Sequence, residues 1–189
     1  MKKIVIFASG SGSNAQRIYE YFSGNPDIEI SLILSNNPKA GVLDRAKKME
    51  IPYLVFDKKC FYDTNHIRNI LKIIHPDLIV LAGFLWKFPE DIIQNFPSKI
   101  INIHPSLLPK YGGKGMYGMN VHKAVIENQE KQSGITIHFA NEHYDEGKII
   151  LQEKTEILPT DTPESLAEKI HSLEYEYFPK VIEYLLFAK

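Results

Sequence analysis

The stretch Ile4-Val5-Ile6-Phe7-Ala8-Ser9-Gly10-Ser11-Gly12-Ser13-Asn14 joins an apolar run of strand length to a Gly/Ser turn, and residues 14 to 23 then read as a helix behind an Asn cap. The alternation repeats along the chain. Apolar runs at Ile28 to Leu34, Tyr53 to Phe56, Leu78 to Ala82 and Ile100 to Ile103 are separated by helical patterns. Residues 40 to 49 space Val42, Leu43, Ala46 and Met49 along one face, and residues 64 to 74 do the same with Ile67, Ile70, Leu71 and Ile74. Strands that are apolar throughout and alternate with helices form a parallel sheet covered on both sides. With further runs at Ile135 to Ala140 and Ile149 to Leu151, the pattern predicts a doubly wound, Rossmann-like α/β fold: a mostly parallel sheet of about seven strands, helices on both faces, and ligands at the strands' carboxyl ends.

A last helix is specified by Thr162 as cap, Pro163 at its first position and a stripe of Leu166, Ile170, Leu173, Tyr177, Val181 and Tyr184, with Pro179 expected to kink or divide it. A chain of 189 residues with 44% hydrophobic content is sized for a single domain over 1–189, and no segment has the composition of an interdomain linker. The net charge of −1 comes from 22 basic and 23 acidic side chains in no long blocks, which leaves no positive face for nucleic acid. Cys60 stands alone and no Cys/His cluster has zinc spacing, so a reducing, cytoplasmic setting without a metal is expected. The first apolar run breaks at Ser9, too early for a signal peptide, and no stretch has the length of a membrane span.

Chemistry concentrates at the ends of the strands. Bare amides and the positive dipole end at Gly10 to Asn14 suit an anion. Gly10-x-Gly12-x-x-Ala15 also satisfies the dinucleotide fingerprint, but the acid that would hold a ribose at the end of the second strand is replaced by Ser35-Asn36-Asn37-Pro38. Ser13 and Asn14 add short donors that suit a phosphomonoester, and a merely structural turn is the alternative. In Ile101-Asn102-Ile103-His104-Pro105-Ser106-Leu107-Leu108-Pro109, period-2 geometry turns Asn102 and His104 to one face, and Pro105 keeps His104 extended. An amide beside an imidazole can bind an oxyanion and move a proton. Asp145, in the Asp145-Glu146-Gly147 turn that Gly147 can close with positive φ, would raise the pKa of His104 if the two lie at one edge. Phe84-Leu85-Trp86-Lys87-Phe88 lines either a slot for a planar heterocycle or the core, and the glycine-rich loop 110–118 is either a mobile cover or a surface connection. The other histidines, at 66, 75, 122, 138, 143 and 171, have no partners at ligand spacing and read as structural or solvated.

GSGSN at 10–14, LAGF at 81–84, NIHPSLLPKY at 102–111 and DEGKIILQ at 145–152 together resemble the phosphoribosylglycinamide formyltransferases of purine synthesis, almost end to end. The resemblance implies 10-formyltetrahydrofolate as co-substrate, 5'-phosphoribosylglycinamide as acceptor, no metal, no membrane partner, and a monomer or homodimer. It implies a catalytic set of Asn102, His104 and Asp145, a phosphate cradle of Gly12, Ser13 and Asn14, a ribose contact at Glu174, and a folate site at Leu85, Trp86, Lys87, Phe88, Asn102 and Asn141. An Arg that family members often place near Lys59 and Cys60 is lacking, and the loop 112–120 departs from the commoner sequence. Methionyl-tRNA formyltransferases and formyltetrahydrofolate hydrolases share the NIHPSLLP core but carry extra domains, for which this chain is expected to have no room. A phosphate-sensing module without turnover is the non-catalytic alternative.

Overall fold

The computed structural model describes residues 1–188. The chain forms β1 (Lys2–Phe7), α1 (Ser13–Phe22), β2 (Ile28–Ser35), α2 (Gly41–Lys48), β3 (Tyr53–Val55), a π-helical turn (Lys59–Asp63), α3 (His66–Ile74), β4 (Leu78–Leu81), α4 (Glu90–Asn95), β5 (Ile100–His104), α5 (Met119–Glu127), β6 (Gln132–Phe139), β7 (Ile149–Glu156) and α6 (Pro163–Phe187). One seven-stranded sheet runs in the order β3-β2-β1-β4-β5-β6-β7. The first five strands are parallel; β6 returns antiparallel to β5, and β7 antiparallel to β6.

Strand alternation divides the core in two. Ile4, Ile6 and Ala8 of the β1 segment face a layer built from α1, α2, α5 and α6, together with Ile101, Ile103, Ile135 and Ile137. Val5 and Phe7 face the opposite layer, where Phe56, Phe61, Phe84 and Phe88 surround Phe7 with ring centroids 5.1–6.2 Å away. Fully burying each such ring contributes roughly 1.5–3 kcal/mol. Core packing is therefore the fate of Phe84 and Phe88, while Leu85 between them stays 45% exposed.

Several expected boundaries move for local reasons. Helix α1 begins at Ser13 with Gly12 as its N-cap at φ 77°, so Asn14 lies inside the helix and caps nothing. Gly12 is required there twice over, because a Cβ would also sit 2.5 Å from Val42 Cβ. At α6 the expected cap holds: the Thr162 side chain accepts from Ser165 N, and the Ser165 side chain accepts from Thr162 N in return. Pro179 does not divide this helix, which runs unbroken through it. The buried stripe is Leu166, Ile170, Glu174, Phe178 and Ile182, with Tyr184 at 66% exposure outside it. Among the described residues no helix is long and apolar enough to cross a membrane.

Candidate active site

A cavity of about 690 Å³ opens at the carboxyl ends of β1, β4 and β5 and is bordered by Gly10–Asn14, Gly83–Leu85, Asn102–Pro105 and the loop Gly113–Met119. Its floor is tied together through Ser9: Ser9 N donates to Gly83 O at 3.1 Å, and Leu85 N donates to the Ser9 side-chain Oγ at 2.9 Å.

Asn102 and His104 end β5 on one face, as their spacing requires. The antiparallel register places His138 directly across from Asn102 and Thr136 across from His104. Thr136 fixes the turn that follows His104. Its Oγ1 donates to Ser106 O at 2.6 Å and accepts from Leu108 N at 3.0 Å, and Gln152 Nε2 adds a bond to Leu108 O at 2.9 Å. The loop after β6 leaves the sheet beside the start of β5, where Ala140 N donates to Ile100 O, and then doubles back over the face. Asp145 comes to lie with Oδ2 3.5 Å from His104 Nδ1 and Oδ1 3.4 Å from Asn102 Nδ2. Gly147 does not make this turn with positive φ; Asp145 itself does, at φ 57°. What Gly147 supplies is absence of bulk, since a Cβ there would stand 1.7 Å from Phe139 O.

Hydrogen bonding assigns the imidazoles. His104 Nε2 lies 2.7 Å from Tyr111 O, so it carries a proton and donates, and the ring titrates at Nδ1, facing Asp145. His138 Nδ1 donates to Phe139 O at 2.9 Å, which makes its Nε2 the acceptor for Asn102 Nδ2 at 3.1 Å. Both hydrogens of the Asn102 amide are thus engaged, one by His138 and one by Asp145. The contact to Asp145, at 3.4 Å, is the longer and the one a reacting oxyanion can take over. Burial pushes His104 below its ordinary pKa, and Asp145 and the Tyr111 carbonyl only partly oppose it. The expected upward effect of Asp145 is present, but desolvation outweighs it and the resting imidazole is held toward the neutral form. Burial also acts upward on the Asp145 carboxyl; the His138 ring, His104 and the Gly113 N–H together outweigh that and leave it lowered.

At the far end of the cavity Glu174, 5% exposed on the apolar face of α6, receives Asn14 Nδ2 and His171 Nδ1 on the same oxygen, Oε2, each at 2.9 Å. Among the described residues its Oε1 has no hydrogen-bond partner, which leaves an acceptor for a ligand hydroxyl. The first turn of α1 has no side-chain cap, so its amides stay available to an anion.

A family model for formyl transferases matches residues 2–182. The chain belongs to that family. It is 39% identical over 187 residues to the chloroplastic phosphoribosylglycinamide formyltransferase of Arabidopsis thaliana, covering 96% of this chain and 64% of that protein, and so spans somewhat under two thirds of the plant relative's length. It is 39% identical over 189 residues to the phosphoribosylglycinamide formyltransferase of Haemophilus influenzae, covering 97% of this chain and 87% of that protein. A crystal structure of phosphoribosylglycinamide formyltransferase from Bacillus halodurans matches with a TM-score of 0.88 at 34% identity, covering 99% of this chain and 96% of that one. The mostly parallel seven-stranded sheet is the α/β fold of these formyl transferases.

Within this chain the structure brings Asn102, His104 and Asp145 together, and gathers Gly12, Ser13, Asn14 and Glu174 at the other end of one cavity. Of the residues expected around folate, Leu85 and Asn102 border that cavity. Trp86 instead packs on Phe56, Phe61 and Tyr62, Lys87 O accepts from Tyr62 Oη, Phe88 is buried, and Asn141 Oδ1 accepts from His143 N. Reading His138, His122 and His171 as merely structural or solvated missed their neighbours. His138 is detectable from register alone, because Thr136 and His138 alternate with Ile135 and Ile137 and must share the face of Asn102 and His104. Among the described residues no group of three or more His, Cys, Asp or Glu is arranged to hold a metal.

Proposed function

We propose that this chain, as one formyltransferase domain, transfers the formyl group of 10-formyltetrahydrofolate to the amine of 5'-phosphoribosylglycinamide. The observation that carries the reading is the convergence of Asn102, His104 and Asp145 on one wall of a cavity whose other end offers uncapped α1 amides and a free Glu174 oxygen. Gly12, Ser13 and Asn14 receive the phosphate, Glu174 Oε1 accepts from a ribose hydroxyl, and the backbone at Leu85 to Phe88 with the 141–145 loop holds the pterin. The acceptor amine attacks the formyl carbon, forming a C–N bond and a tetrahedral adduct with negative oxygen. A proton moves from the amine to His104 Nδ1, where Asp145 stabilises the imidazolium, and Asn102 turns an N–H to the oxyanion. Collapse breaks the bond from the formyl carbon to the folate N10, which takes the proton, so charge and atoms balance without a covalent enzyme intermediate.

The test is direct. Purified protein is mixed with both substrates and folate product is followed by absorbance, with free methionyl-tRNA and water as competing acceptors. Turnover that requires phosphoribosylglycinamide supports the reading; folate release without it, or none with any acceptor, defeats it.

A further inference from the structure

The wall between the two ends of the cavity carries a polar side chain that the proposed chemistry leaves unused. His122 lies near the start of α5, on the buried face it shares with Val121 and Val125, and is 2% exposed while bordering the cavity. Among the described residues neither ring nitrogen has a hydrogen-bond partner: Nδ1 is closed off in the interior, and Nε2 is the nitrogen left to the cavity. Its charged neighbours place it between the two ends, with His104 on one side and His171 and Glu174 on the other. A buried polar group that the protein leaves unpaired calls for a partner from outside the chain.

We propose that His122 selects the acceptor by its carboxamide: Nε2–H donates to the carbonyl oxygen that lies between the ribosyl nitrogen and the aminomethyl carbon of phosphoribosylglycinamide, and so turns the amine toward His104. This rests on the acceptor-substrate reading above. With phosphate and ribose at Ser13 and Glu174 and the reacting amine at His104, the carboxamide is the part of the substrate that spans the middle, where His122 stands. Burial holds the ring below its ordinary pKa, so at neutral pH it carries one proton. On Nδ1 that proton would be a donor stranded in the interior; on Nε2, the tautomer that histidine intrinsically prefers, it faces the cavity and can be given to a ligand. The neighbouring amide donors are already engaged, Asn14 on Glu174 and Asn102 on His138 and Asp145. A buried donor matched to one ligand acceptor discriminates against a ligand without it, because the donor is then left unpaired.

5'-Phosphoribosylglycinamide and ribose 5-phosphate are titrated calorimetrically into the wild type, His122→Gln and His122→Phe. The two ligands share phosphate and ribose and differ in the carboxamide arm. His122→Phe should bind phosphoribosylglycinamide about tenfold more weakly and ribose 5-phosphate as the wild type does. His122→Gln, whose side-chain amide can set an N–H near the place of Nε2, should recover most of the loss. In turnover the Phe variant's KM should rise for phosphoribosylglycinamide and stay unchanged for 10-formyltetrahydrofolate. Nitrogen NMR of the wild-type ring should find the proton on Nε2 and see that resonance move with phosphoribosylglycinamide but not with ribose 5-phosphate. Equal losses for the two ligands, a Gln variant no better than the Phe variant, or a proton on Nδ1 overturns the proposal. If the wild type shows this selective binding but transfers no formyl group, the reaction fails and the contact stands; if it transfers formyl and the Phe variant keeps its selectivity, the contact fails and the reaction stands.

Discussion

Asp145→Asn is the substitution that isolates the charge at the centre of the site. Asn keeps an acceptor for Gly113 N, which now bonds Asp145 Oδ2 at 2.9 Å, and Asn is among the residues best tolerated at φ 57°. The carboxylate stands 3.5 Å from His104 Nδ1, with the two side chains only 11% and 5% exposed. At an effective dielectric near 20 a pair of unit charges at that range attracts by roughly 4 kcal/mol, and measured effects of a neighbouring opposite charge bring this to about 1–4 kcal/mol. Each ~1.4 kcal/mol displaces the titration of the imidazole by one pH unit, and the sign is downward, adding to what burial already does. The imidazolium formed in the adduct loses the same stabilisation, so kcat should fall by about 10²–10³, the range seen when one stabilising group is removed from an oxyanion site. NMR titration of the His104 ring in both proteins, beside their kcat profiles, measures both quantities. If His104 in the variant titrates at or above the wild-type pH, or kcat falls less than about threefold, the charge is not what Asp145 supplies.

Two further outcomes follow from packing and protonation. Gly147→Ala places a Cβ 1.7 Å from Phe139 O, a backbone atom that cannot move without opening the β6–β7 hairpin; denaturant unfolding should show a loss of at least about 1–3 kcal/mol with turnover reduced as well, and wild-type stability would contradict the close approach. His104 and His122 are held below their ordinary value of 6.5, so the folded chain declines protons that the unfolded chain takes. Their contribution to stability is full above 6.5 and is lost as pH falls through the folded values, whereas that of His171, which is raised, is present below 6.5 and lost as pH rises through its own. Unfolding free energy should therefore drop on acidification from pH 6.5 to 5, and His122→Gln should flatten that drop; equal slopes in the two proteins would show that burial of His122 is not its cause.

The fold was legible because its strands announce themselves: Ile4 to Phe7 and Leu78 to Leu81 are apolar on both faces, as is Ile100 to Ile103 but for Asn102, and a doubly covered sheet uses such strands. Helices α4 and α5 left weaker marks. Glu90–Asn95 is barely longer than a turn, and Met119–Glu127 follows four glycines that dominate any local reading. Asn102 and His104 could be paired from spacing, since both lie on one strand. Asn14, read as a cap, shows the limit: its partner Glu174 is 160 positions away, and no local pattern states that α1 and α6 touch. The same holds for the pKa of His104. A carboxylate neighbour could be anticipated from sequence, but the burial that outweighs it depends on how Tyr111, Thr136 and the covering loop close around the ring.

The reversal of β6 is what makes the site possible. The connection from β5 runs through α5, and had β6 then entered parallel to β5, the loop that follows it would have left at the other end of the sheet and His138 would not have stood opposite Asn102. Running antiparallel, β6 sets His138 against Asn102 and carries the following loop to the start of β5, the wrong end for catalysis. Asp145 is recovered only because the loop doubles back, with its own backbone left-handed and Gly147 pressed against Phe139 O. The Asp145 carboxylate is then held by N–H groups from two segments, Asn102 Nδ2 on Oδ1 at 3.4 Å and Gly113 N on Oδ2 at 2.9 Å, with His104 Nδ1 3.5 Å away. Each restrains the carboxylate in a different direction. A charge fixed in this way needs no reorganisation when the imidazolium forms, which is the condition under which a buried carboxylate stabilises a transition state more than it stabilises the resting enzyme.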